Sequence, residues 1–147
     1  MLSSDTVLTA AHCVGFPTKN GTKLVFQFQP TEYISVVLGD LTQSKEEGTE
    51  QTIKVIDRFI HPDWLKNEGV NINDIDVDND FAILKLANGV RFTNYVNPIC
   101  LPPENKNFDS VEAKASGWGR ISGNYSESKG SKSDILQKLS KSFALMQ

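Results

Sequence analysis

Apolar residues along this chain fall in short runs, mostly alternating with polar positions, and Gly, Pro, Asn and Asp punctuate the gaps between them. Thr6 to Thr9 is β-branched and apolar and predicts a short strand. Past Cys13, the residues Gly15, Pro17, Asn20 and Gly21 predict a connector. Leu24 to Phe28 and Tyr33 to Leu38 predict two further strands, broken by Pro30. Thr52 to Ile60 alternates as a strand, with Ile53 and Val55 in one phase and Ile56, Phe59 and Ile60 after a shift. A continuous apolar strand runs from Phe81 to Leu86, and Val111 to Ser116 starts another. Near the end, Ile135, Leu136, Leu139, Phe143 and Met146 have helical spacing, whereas Leu139, Phe143 and Leu145 fit a strand with a polar gap at Lys141. Periodicity alone leans towards a helix there. The order of strands elsewhere predicts an all-β, antiparallel fold.

Composition narrows the function classes. A length of 147 residues suits about one domain, and 39% hydrophobic residues suffice for a core. A net charge of −3 gives no reason to expect nucleic acid or an anionic membrane as partner. Apolar runs stay well short of the ~18 residues of a membrane helix. Met1 to Asp5 shows no basic region followed by an apolar core, so no signal peptide is expected in this stretch. Two cysteines, Cys13 and Cys100, are too few for a disulfide scaffold. Two separated histidines without Cys-x-x-Cys do not make zinc spacing.

Candidate chemistry begins where the first strand ends, in Val7-Leu8-Thr9-Ala10-Ala11-His12-Cys13. A histidine between a strand and a turn sits at the mouth of a fold. Farther on, Asp80 heads the apolar strand Phe81-Ala82-Ile83-Leu84-Lys85-Leu86, a poor place for an unpaired charge. A partner is implied, and His12 is the natural candidate. The alternating acids Asp74, Asp76, Asp78 and Asp80 fail as an EF-hand, because the sixth and twelfth places from Asp74 hold Asn79 and Lys85 instead of Gly and Glu.

Thr-Ala-Ala-His-Cys resembles the histidine motif of chymotrypsin-like (trypsin-family, S1) serine proteases. Asp80-Phe81-Ala82-Ile83-Leu84-Lys85-Leu86 is similar to that family's aspartate motif. The resemblance implies that His12 acts as the proton-accepting base and that Asp80 orients it and stabilises its imidazolium form. It implies a chymotrypsin-like antiparallel β-barrel fold, with residues 1–95 a nearly complete first barrel, 96–110 an inter-barrel linker and 111–147 the start of a second. Val96-Asn97-Pro98-Ile99-Cys100-Leu101-Pro102 looks like that linker, and Ser116-Gly117-Trp118-Gly119 resembles the turn opening the second barrel. Ala113 departs from the pattern where a cysteine is usual. His61-Pro62-Asp63-Trp64 looks like a structural turn of the same family.

The acidic stretch Gly39 to Gln51 is by composition a solvated loop. Against the family it falls where a calcium loop lies, with carboxylates from Asp40, Glu47 and Glu50 and backbone carbonyls from Thr42 and Lys45. The resemblance requires no cofactor and leaves calcium open. It implies secretion, protein or peptide substrates, and protease inhibitors as partners. Asn20-Gly21-Thr22 and Asn124-Tyr125-Ser126 match the glycosylation acceptor pattern, which also arises by chance.

The resemblance also has an edge. Residues 1–147 contain no Ile-Val-Gly-Gly, no Gly-Asp-Ser-Gly-Gly and no serine in a Gly-x-Ser-x-Gly frame. The family's nucleophile, specificity pocket and oxyanion hole, and the usual partners of Cys13 and Cys100, are therefore expected outside this stretch. Residues 1–147 are expected to be a truncated serine endopeptidase, inactive alone. A non-catalytic homologue that binds or regulates is the alternative.

Overall fold

The computed structural model describes residues 1–71, 78–108, 111–120 and 132–142. They form two compact units, one of residues 1–38 and 51–100, the other of residues 39–50 and 101–147.

The first unit carries β1 (Thr6–Thr9), β2 (Gly15–Asn20), β3 (Lys23–Phe28), β4 (Ser35–Leu38), β5 (Gln51–Ile60), the single turn α1 (Pro62–Leu65) and β6 (Ala82–Leu86). Every pairing is antiparallel. Four strands make one sheet in the order β1-β6-β5-β4, and β2 and β3 make a separate hairpin. Both supply one core: Leu24 and Phe26 of the hairpin are buried with Val55, Leu84 and Leu86 of the sheet. The period-two rule is cleanest in β6, where Ala82, Leu84 and Leu86 are buried and Ile83 and Lys85 are half-exposed. In β5 the hydrophobic phase shifts because the strand bulges between Val55 and Asp57. The extra residue re-aims the following side chains, so Ile56 faces outward while Ile60 packs against the core.

Residues 15–20 correct the expectation of a connector. Gly and Pro there suggested a loop, yet β2 pairs with β3 from Gly15↔Phe28 to Asn20↔Lys23. Pro17 is tolerated because, among the described residues, β2 has a strand neighbour on one side only, so the missing N–H need not break a ladder. Gly21 takes φ +63 while Thr22 stays negative, the pattern of a two-residue type II′ hairpin loop.

His61 caps α1, its Nδ1 accepting the Asp63 N–H at 3.2 Å, and its ring lies 4.5 Å from that of Phe81. It is a structural turn.

In the second unit, β7 (Glu112–Gly117) pairs antiparallel with β8 (Gln137–Ser142). Cross-strand pairing thus decides for strand over helix at 137–142; Phe143, Leu145 and Met146 lie outside the described residues. Thr42 bridges to Ile135, the Leu136 N–H donates to the Leu41 carbonyl at 2.9 Å, and the Trp118 indole N–H donates to the same oxygen at 3.1 Å. The acidic loop is thereby fastened beside the β7–β8 hairpin. Among the described residues no helix is long and apolar enough to cross a membrane.

Candidate functional site

His12 and Asp80 are 68 positions apart in sequence, and strand register brings them together. β1 and β6 are antiparallel neighbours whose last pair is Thr9↔Ala82. The chain leaving β1 and the chain entering β6 therefore emerge side by side at one end of the sheet. From Thr9 it passes through Ala10 into a 3₁₀ turn at Ala11–Cys13, closed by Cys13 N–H to Ala10 O and Val14 N–H to Ala11 O, each 3.1 Å. Ala11 is fully buried beneath this turn, where its small side chain lets the turn lie against the core. On the other side, Asn79 adopts φ +59 and the Phe81 N–H donates to its carbonyl at 2.7 Å. That tight three-residue turn puts Asp80 at its apex. Asn is among the few residues that accept the left-handed region readily.

The carboxylate of Asp80 is held twice. Its Oδ1 accepts the backbone N–H of His12 at 2.9 Å, and its Oδ2 lies 2.6 Å from His12 Nδ1. Burial pushes the Asp80 carboxyl up, but the His12 ring, the His12 and Ala11 backbone N–H groups and the imidazole charge together outweigh it. The net shift is below the usual carboxylate range. An ionised Asp80 accepts from Nδ1–H, which leaves the lone pair on Nε2. The His12 side chain is 58% exposed and Asp80 26%, so Nε2 is open to an incoming proton donor while the carboxylate is sheltered. Such a pair can take a proton at Nε2 and stabilise the resulting charge.

Sequence reasoning did not foresee the second hold, because a backbone N–H leaves no signature in residue type. Nor did it foresee that the thiol of Cys13 lies 3.6 Å from His12 Nε2. Cys13 and Cys100 are both exposed free thiols.

The acidic loop brings carboxylate oxygens of Asp40, Glu47 and Glu50 within 4.8 Å of one another. Glu50 Oε1 accepts the Glu47 N–H at 2.7 Å, and backbone hydrogen bonds from Glu47 foremost hold its carboxyl down at about 2. Asp40 goes the other way: desolvation first, then the charges of Glu47, Glu50 and Asp134, raise its carboxyl above the ordinary range. Its Oδ1 is buried with no hydrogen-bond partner among the described residues. A buried carboxylate oxygen among like charges is what a hard cation satisfies, so the donor set fits calcium. Thr42 O already accepts the Lys45 N–H at 2.8 Å, leaving one lone pair. Asp134, which no motif signals, clamps the loop: its two oxygens accept Ser44 N–H at 2.9 Å and Ser44 Oγ–H at 2.6 Å.

Asn20 is exposed at the end of β2, whereas Asn124 and the acids Asp74 and Asp76 lie outside the described residues.

The family model for trypsin matches residues 1–144. Chymotrypsin-like elastase family member 1 of Rattus norvegicus is 32% identical over 121 residues, covering 82% of this chain and 38% of its own length. Venom serine protease Bi-VSP of Bombus ignitus is 35% identical over 127 residues, covering 82% of this chain and 29% of its own length. Among solved structures, one described as "Structure of GrC" superposes with a TM-score of 0.66 at 27% identity, over 95% of this chain and 49% of that one. The chain thus spans less than half the length of these relatives.

Proposed function

The chain belongs to the trypsin family, and on that premise we propose that it supplies the histidine–aspartate half of a secreted serine endopeptidase's catalytic triad. His12 is the general base and later general acid, and Asp80 holds its tautomer and offsets the imidazolium charge. The observation that carries this reading is the doubly held Asp80, with one oxygen on the His12 ring at 2.6 Å and the other on its backbone N–H. Residues 1–95 are read as the first barrel, 96–110 as a linker and 111–147 as the start of the second. Extracellular residence follows the relative named as a venom serine protease of Bombus ignitus. Protein substrates, and inhibitors shaped like them, are the corresponding partners. A calcium ion held by Asp40, Glu47 and Glu50 would neutralise the acidic loop; its support is the unpartnered Asp40 oxygen.

Within residues 1–147 no serine stands in a nucleophile motif, so the His–Asp pair has no alkoxide to generate. This stretch alone is expected to hydrolyse no peptide bond at a useful rate. The deciding experiment compares it with the polypeptide at its native length on a mixed protein substrate. Turnover by the native polypeptide that His12→Ala and Asp80→Asn remove supports the assignment. A folded native polypeptide with no turnover overturns it in favour of a non-catalytic homologue. Turnover by residues 1–147 alone that survives Cys13→Ser would reveal an unrecognised nucleophile.

A further inference from the structure

We propose that Asn20 is an N-glycosylation site, carried at the tip of the β2–β3 hairpin. The triplet Asn20-Gly21-Thr22 meets the acceptor pattern, and its placement is what the pattern by itself lacks. Residues 20, 21 and 22 are all exposed. Asn20 pairs with Lys23 as the closing pair of the hairpin, so Gly21 and Thr22 form a two-residue loop that a transferase can reach from outside. The register also fixes the face. Cross-strand partners share one side of a sheet, and the pairs Asn20↔Lys23 and Thr18↔Val25 lie opposite the side on which Leu24 and Phe26 are buried. Asn20 therefore stands on the side of the hairpin turned away from the core. Gly21 keeps the loop tight at φ +63 and has nothing within 4 Å of where a Cβ would be, so the space around the acceptor is open. Among the described residues neither the Asn20 amide nor the Thr22 hydroxyl is engaged in a hydrogen bond.

The chemistry is a group transfer from a lipid-diphosphate oligosaccharide. A bond forms between Asn20 Nδ2 and the anomeric carbon of the sugar, and the anomeric C–O bond to the lipid diphosphate breaks. The lipid diphosphate leaves, and the amide proton passes to a base of the transferase. The product keeps an N–H and gains a large, hydrated substituent. Its position has a physical consequence. Among the described residues β2 has a free edge, and a glycan at the end of that edge hinders pairing with a second chain.

The site rests on the extracellular reading only for the route the chain takes, and the test separates the two. The chain is sent through the secretory pathway of a eukaryotic cell behind a heterologous leader. Peptide mapping after peptide-N-glycosidase then reads conversion of Asn20 to Asp. Occupancy at Asn20 is expected in wild type and in Thr22→Ser, with loss in Asn20→Gln and in Thr22→Ala. Secreted, protease-resistant wild type with an unmodified Asn20 overturns the site whatever the natural location. Loss on Asn20→Gln but not on Thr22→Ala overturns it as well, since enzymatic transfer needs the hydroxyl. Native protein without glycan, alongside an occupied Asn20 in the forced-secretion arm, overturns the extracellular reading and leaves the site standing as an acceptor.

Discussion

His12–Asp80 and the Asp40–Glu47–Glu50 loop are both clusters of ionisable side chains, but they are assembled on opposite electrostatic principles. In the first, opposite charge potential is brought together by strand register, and every carboxylate oxygen has a donor: a ring nitrogen and a backbone N–H. In the second, like charges are crowded by a loop, and the backbone satisfies Glu50 while an oxygen of Asp40 has no donor among the described residues. The net shifts follow, with Asp80 below the ordinary carboxylate range and Asp40 above it. The comparison teaches how to tell a finished site from one that awaits a ligand. A site complete in itself lowers the energy of its own charged state, whereas one built for a cation leaves its charged state destabilised until the cation arrives.

The largest effect should come from breaking the finished pair in the native-length polypeptide. His12→Ala is expected to lower kcat on the order of a millionfold, and Asp80→Asn on the order of ten-thousandfold, as for enzymes that use this triad. Asp40→Asn should leave the chemical step within a few-fold of wild type. Steady-state kinetics with active-site titration checks all three. Comparable losses in the Asp40 and Asp80 variants would erase the distinction between the clusters.

Next in size is the response to calcium. Titration should show one ion per chain, a raised melting temperature, and weakening on the order of tenfold or more in Glu50→Gln, since affinity in such loops follows the count of carboxylate charges. Ser44→Ala should weaken binding less, because it removes one of two hydrogen bonds to Asp134 and no ligand. Calorimetry reads these affinities directly. Equal binding by wild type and Glu50→Gln would remove the ion from this loop.

How much of this was open to a reader of the sequence differs between the two clusters, and the reason is physical. His12 and Asp80 stand at fixed offsets from the ends of apolar runs, and β1 coincides with the run from Thr6 to Thr9. Register then does the rest, so residue type and position suffice. In the acidic loop the three carboxylates are legible, but the clamp from Asp134 and the indole of Trp118 on Leu41 O are long-range contacts with no periodicity behind them. The β2 strand was hidden for a related reason. Gly15 and Pro17 are poor strand residues, and β2 forms because β3, with Leu24 and Phe26 buried in the core, gives it a partner.

The pH dependence of stability should have opposite signs at Asp80 and Asp40. Asp80 has a depressed folded value, so the folded state binds fewer protons than the unfolded one. Its contribution is fully present above the unfolded value of ~3.9 and is lost as pH falls through the folded value. Asp40 has a raised folded value, so the folded state holds its proton more tightly. Stability therefore falls as pH climbs from ~3.9 through the raised value, and stays lowered above it. Denaturant unfolding of wild type against Asp80→Asn and Asp40→Asn, between about pH 2 and 6, isolates each contribution by difference. Without calcium, Asp40→Asn should gain on wild type as pH rises. In saturating calcium the sign should reverse, since the ion favours the carboxylate. Parallel curves for the two variants would mean the clusters are electrostatically alike.

The smallest effect sharpens the contrast at the level of the backbone. Gly48 holds φ +80 in the acidic loop, between Glu47 and Glu50, with nothing within 4 Å of where a Cβ would lie. Space is therefore not the obstacle to substitution; conformation is. A Cβ at positive φ meets its own carbonyl, at a cost of about 1–2 kcal/mol for alanine. Asparagine adopts this region more readily, so Gly48→Asn should cost less than Gly48→Ala. If the strain relaxes by moving the loop, the Glu47 N–H to Glu50 Oε1 bond at 2.7 Å is the first contact to lengthen, and calcium affinity should drop with stability. The ordering Gly above Asn above Ala is then expected in both the unfolding free energy and the calcium affinity. Were Ala and Asn to cost the same, the penalty would come from something other than the left-handed backbone, and the loop's preorganisation would need a different cause.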